Sequence, residues 1–102
     1  MAKLIRDKEI FVKKKRGKPK TRNPVNDTEY NDSLSALLLG GVVKLIGSRG
    51  LKEIIDSLSD LYDALDEVAD FRRVNRSAIA EARKKKAEER GLFKKRIILE
   101  EE

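Results

Sequence analysis

The 102-residue sequence contains no cysteine and no histidine. Without cysteine there is no disulfide framework, no thiolate nucleophile and no cysteine-based zinc site. Without histidine the usual general base, the usual transition-metal ligand and the usual pH switch are gone. Tryptophan is absent, five residues in all are aromatic and proline occurs twice. Long apolar runs are missing too: none approaches the ~18 residues that a membrane span needs. The start, MAKLIRDK, has no apolar stretch of the kind a signal peptide carries. These absences point to a soluble protein of a cytoplasm-like compartment, built as one domain (1–102) around one modest core.

What is abundant is charge. Charged residues make up 41% of the chain and hydrophobic ones 39%, a balance that suits a compact helical fold with a heavily charged surface. The net charge of +6 raises the question of a nucleic-acid partner. One basic block runs through Lys13, Lys14, Lys15, Arg16, Lys18, Lys20 and Arg22, and a second through Arg83, Lys84, Lys85 and Lys86. Neither interleaves aromatics that would stack on bases, so both read as solvated surface and no nucleic-acid partner is expected.

Along the chain, Leu4, Ile5, Phe11 and Val12 have the spacing of one stripe of a short helix. Residues 16–26, with two prolines, a glycine and two asparagines, read as a loop. Asp27 or Thr28 is suited to cap a turn, and Asp32 or Ser33 to cap the next helix. That helix, over 33–47, is apolar at nearly every position and carries Gly40-Gly41 at its middle. A hairpin turning at the two glycines is the alternative, but Leu34, Leu37, Leu38, Leu45 and Ile46 keep helical spacing. Residues 51–71 are the cleanest segment: Leu51, Ile54, Ile55, Leu58, Leu61, Tyr62, Leu65, Val68 and Ala69 trace a long amphipathic helix. A third helix over 77–90, capped by Asn75 or Ser77 and stopped by Gly91, leads into a tail over 92–102. The tail holds Phe93, Ile97, Ile98 and Leu99 and is expected to fold onto a neighbour or another subunit. The predicted fold class is all-α.

Three segments carry a resemblance. KLIRDK near the start, the loop KPKTR followed by EY, and EARKKKAEERGLFKKRIILEE near the end are similar to the short MazG-like nucleotide pyrophosphohydrolases. Those proteins typically read K-L-V-R-D-K-I-P and E-A-R-K-K-K-A-E-E-R-G-G-F at the same places. The likeness spans nearly the whole chain in order. It implies a helical bundle of the all-α NTP pyrophosphohydrolase type, completed by homo-oligomerisation. It also implies an ancestral chemistry in which E-E-x-x-E on one helix and E-x-x-D on the next hold magnesium, a hard oxygen-loving cation. The metal neutralises the nucleotide phosphates and orients water onto the bond between the α- and β-phosphates.

This chain departs from that pattern where the chemistry lies. Aligned by flanking residues, E-E-x-x-E falls on Gly40, Gly41 and Lys44, and E-x-x-D falls on Ser57 and Asp60. Four of the five ligands that the resemblance implies are replaced, and Lys44 brings a positive charge to a cation's place. No catalytic residue, metal ligand or cofactor is therefore assigned. Leu39 and Val43 stand where the family is more polar, so that an acidic cleft is expected to become a neutral, partly apolar recess. The replacements cluster around the former site and leave the C-terminal motif nearly unchanged. That distribution suggests an engineered scaffold whose remodelled surface (Leu39, Gly40, Val43, Lys44) binds a protein partner. A natural kink or tight helix packing at Gly40-Gly41 in a diverged paralogue is the plainer explanation.

Two alternatives stand beside the scaffold. One is a residual magnesium-dependent nucleoside triphosphate pyrophosphohydrolase. Asp56, Asp60, Asp63 and Glu67, spaced i, i+4, i+7 and i+11, share a helix face that would hold a cation or simply be solvated. The other is a small-molecule pocket in which an apolar setting lowers the pKa of Lys44 and makes it an amine nucleophile. A snorkelling surface lysine is the plain reading of the same residue.

Overall fold

The computed structural model describes residues 3–9 and 20–100. Residues 10–19 lie outside them, and with them Phe11 and Val12 of the expected N-terminal helix and residues 16–19 of the loop. Within the described residues the protein is all-α: three long helices and no strand. They are α1 (Asp27–Gly47), α2 (Leu51–Phe71) and α3 (Arg76–Arg90). The chain divides into two compact units, Met1–Val68 and Ala69–Glu102.

In the first unit, α1 begins at Asp27 rather than at Ser33, and neither Asp32 nor Ser33 caps it. The cap is Asn26, whose side-chain oxygen accepts the backbone N–H of Glu29 at 2.9 Å. Glu29 in turn accepts the N–H of Val25 and takes Arg22 through both carboxylate oxygens, at 2.6 and 2.9 Å. This is close to a capping box, in which the third helical residue reaches back past the cap. Arg22 and the Val25 N–H hold the Glu29 carboxyl down at about 2.

The helix passes straight through Gly40-Gly41, as its flanking leucines require, and no hairpin forms there. A Cβ on Gly40 would meet nothing within 4 Å, whereas one on Gly41 would lie 2.8 Å from Leu61 Cδ2 of α2. The missing side chain at Gly41 thus lets Leu61 of α2 lie close against α1. Ser48, Arg49 and Gly50 connect α1 to α2. The Ser48 N–H donates to Leu45 C=O at 3.1 Å, and its hydroxyl donates to Lys44 C=O at 2.8 Å.

The seam between α1 and α2 is small. Leu34 and Ala64 are buried apolar residues of this unit, and Ser57 is completely buried. Outside the seam a good deal of apolar surface faces solvent. On α1 these residues are Leu39, Val42, Val43 and Ile46; on α2 they are Leu51, Ile55, Leu58, Tyr62 and Leu65.

The second unit opens on the last turn of α2. Arg73 N–H bonds to Asp70 C=O and Val74 N–H to Ala69 C=O, with Arg73 at φ 57°. That is the Schellman pattern of helix termination, here with an arginine at the left-handed position. Asn75 caps α3 by accepting from the Ser77 N–H and hydroxyl, and Gly91, at φ 75°, ends the helix. No side chain of α3 is buried, and the tail from Leu92 to Glu100 is exposed throughout.

Candidate functional site

The first unit holds a cleft of about 760 Å³. Its walls follow from helical spacing. Leu37, Gly40, Gly41 and Lys44 recur at i, i+3, i+4 and i+7 and line it from α1. Asp60, Asp63 and Glu67 do the same from α2, and residues 3–7 and Glu9 line it from the N-terminal segment.

Charge inside the cleft is arranged in one chain of ion pairs. Arg6 places Nη2 at 2.6 Å from Asp60 Oδ1 and Nη1 at 2.8 Å from Asp63 Oδ2. Lys44 Nζ lies 2.6 Å from Asp56 Oδ2 and 3.4 Å from Asp60 Oδ2. Asp60 therefore gives one oxygen to each cation, and its pKa is lowered, first by the Arg6 hydrogen bond and then by Lys44. The same bonds raise the pKa values of Arg6 and Lys44. Deeper in the cleft the Tyr30 hydroxyl donates to Glu67. Burial, and then that bond, push the phenol up to about 12.

Of the five positions expected around a former metal site, Gly40, Gly41, Lys44 and Asp60 meet at this cleft. Ser57 does not: it is wholly buried at the helix seam, with its hydroxyl 2.9 Å from that of Ser48. The candidate partner surface is divided in the same way. Gly40 and Lys44 line the cleft, whereas Leu39 and Val43 lie outside its lining, 68% and 69% exposed.

Two expectations need correction. The recess is partly apolar, but its centre is not free of charge: Arg6 and Lys44 pair there with Asp60 and Asp63. And Lys44 does not sit in an apolar setting that lowers its pKa. Two carboxylates hold it protonated and its side chain is half exposed, so the amine nucleophile has no physical basis.

Magnesium, which the family resemblance implies, does not fit this donor set. Three acids of the α2 stripe already neutralise two internal cations, and a divalent ion would have to displace both. Among the described residues no group of three or more acidic side chains is arranged to hold a metal.

Sequence reasoning overlooked Arg6, although it stands in the quoted KLIRDK, because nothing local ties it to residues more than fifty positions away. It also overlooked that Glu53-Ile54-Ile55-Asp56 is itself a literal E-x-x-D. Asp56 of that motif reaches Lys44, while Glu53 accepts the Arg49 N–H at 3.3 Å near the start of α2. Comparison with known proteins finds no matching family model, no matching curated protein and no matching solved structure.

Proposed function

We propose that this chain is a catalytically silent helical scaffold of MazG-like descent that works by binding protein through the apolar surface of α1 and α2. The observation that carries this reading is the run of exposed apolar residues on both helices. Leu39, Val43 and Ile46, at i, i+4 and i+7, are each about 70% exposed on α1. Leu51, Ile55, Leu58, Tyr62 and Leu65, at i, i+4, i+7, i+11 and i+14, form an unbroken exposed stripe on α2. Scattered single apolar residues on a surface are ordinary, but contiguous stripes on two adjacent helices are the mark of an interaction site.

The internal pairing of the cleft supports the catalytic half of the reading. An enzyme that binds a metal–triphosphate needs uncommitted carboxylates, and here Lys44 and Arg6 occupy them. The concentration of replacements at these positions, with the C-terminal motif intact, supports deliberate remodelling.

Two measurements test the proposal. Incubation with nucleoside triphosphates and magnesium should release no pyrophosphate above a protein-free blank; magnesium-dependent turnover would overturn the silent reading. Leu39→Lys with Val43→Lys should leave the helical circular dichroism and the thermal midpoint of the dilute chain nearly unchanged, since exposed residues with a binding role add little to folding. A fall of many degrees would assign these residues to the core instead.

A further inference from the structure

Two walls of the cleft are helices, and the third is the N-terminal segment. Residues 3–6 have no regular structure, and a turn follows at 7–8. The Glu9 N–H donates to the Arg6 carbonyl at 3.0 Å, a bond that closes this turn and fastens nothing to a helix. Leu4 and Ile5 are half-buried while Lys3, Arg6 and Asp7 are exposed, so the segment turns its two apolar side chains inward. Across the cleft, Ala64 lines the α2 wall yet is only 4% exposed. Burial of so small a side chain at a cleft wall means that other groups lie over it.

We propose that residues 3–7 are a strap latched across the cleft by Arg6, and that release of Arg6 opens the cleft to solutes.

The form of the attachment is the first argument. Arg6 bridges Asp60 and Asp63 at 2.6 and 2.8 Å, so the departure of one side chain breaks both ion pairs. All three side chains are about half exposed, and pairs of that kind are weak and screened by salt. Arg6 and Asp60 are also 54 positions apart, so nothing local in the chain holds the segment in place once Arg6 lets go.

The second argument is that the rest of the first unit does not depend on the latch. Asp60 and Asp63 are carried by the continuous helix α2, and Asp60 keeps Lys44 at 3.4 Å as a second cation. Leu34 and Ser57, which are buried in the seam between the helices, do not line the cleft. The strap can therefore lift while the helix pair stays assembled. It is closed at low ionic strength, and salt, or a cation that competes for Asp60 and Asp63, opens it.

Because the chain has no cysteine, single thiols report on each place separately. Ala64→Cys puts a thiol in the cleft wall and Ser57→Cys puts one in the seam. Labelling by an aromatic disulfide is followed in the full chain, each rate taken relative to a free thiol in the same buffer. Adding Arg6→Gln should speed the labelling of A64C roughly five- to tenfold, the opening that loss of two exposed pairs permits. Molar sodium chloride should do the same in A64C but add nothing in A64C/R6Q. The S57C thiol should keep its rate throughout. A second measurement leaves the cleft wall unaltered. A spin label on Lys3→Cys should broaden the amide signals of Leu37 and Ala64, which line the cleft with it, and Arg6→Gln should relieve the broadening. Equal acceleration of both thiols would mean that the helix pair loosens as a whole, and would overturn the strap. Labelling of A64C that ignores Arg6→Gln, or broadening that persists in it, would show that Arg6 is no latch and would also overturn it. Ala64 and Lys3 lie off the exposed apolar stripes, so the strap can fail while the protein-binding reading stands.

Discussion

Gly40 and Gly41 look alike in the sequence and are not alike in the structure. Gly40 borders the cleft with open space around it, while Gly41 lets Leu61 approach to a distance that a Cβ would forbid. Tight helix packing therefore accounts for one glycine of the pair and not for the other. Replacing Gly40 by Ala should stabilise the protein by about 1 kcal/mol, the difference in helix propensity. Gly41→Ala should lose that gain to overpacking and destabilise by up to ~2 kcal/mol. Urea unfolding of the two variants gives the answer, and equal shifts would mean that Leu61 simply turns aside. Nothing in a run of apolar letters distinguishes the two positions, because the distinction lies in a residue twenty positions away. A second residue-scale consequence concerns Glu29. Its folded pKa of about 2 lies below the ~4.3 of a free glutamate, so the pair with Arg22 stabilises above that ordinary value. That contribution fades as pH falls from about 4.3 toward 2. In the Arg22→Gln variant, Glu29 should titrate closer to the ordinary value by NMR, with the Val25 N–H still bonded to it.

At the scale of elements, legibility tracked how local the determining interaction is. Helix α2 could be read because its apolar residues repeat at helical spacing and its inward positions, the buried Ser57 and Ala64 with the half-buried Ile54, Leu61 and Val68, fall on one side of that pattern. The start of α1 was misplaced although Asn26-Asp27-Thr28-Glu29 has the cap-x-x-Glu form. The amphipathic signal begins only at Leu34, and the first turns are held by the cap and the Arg22 pair instead. The end of α2 at Phe71 was read from where the apolar spacing stops, although an arginine, not a glycine, takes the left-handed position beyond it. An L-residue there is strained by about 1 kcal/mol or more. Arg73→Gly should therefore raise stability by roughly 0.5–1 kcal/mol. The Val74 and Arg73 hydrogen bonds of the helix end should keep their protection in hydrogen exchange. Loss of stability would place an energetically important role on the Arg73 side chain.

At the scale of the whole molecule the cleft was partly legible. The substitution pattern drew attention to Gly40, Gly41, Lys44 and Asp60, which do come together, but not to the reason they are compatible. That reason is Arg6, which supplies the second cation and could be found only in three dimensions. Pairs this exposed are weak individually and are screened by salt. Apolar burial behaves in the opposite way, since sulfate strengthens it. The two contributions can therefore be separated in one experiment. If the exposed stripes are covered by a protein partner in the form of a second copy, folding is linked to association and the thermal midpoint must rise with protein concentration. Raising sodium chloride should screen the Arg6 and Lys44 ion pairs and lower the midpoint slightly. Sodium sulfate should raise it, and in both salts the concentration dependence should persist. A midpoint that is flat over a hundredfold range of concentration would mean that copies of the chain do not cover the apolar stripes.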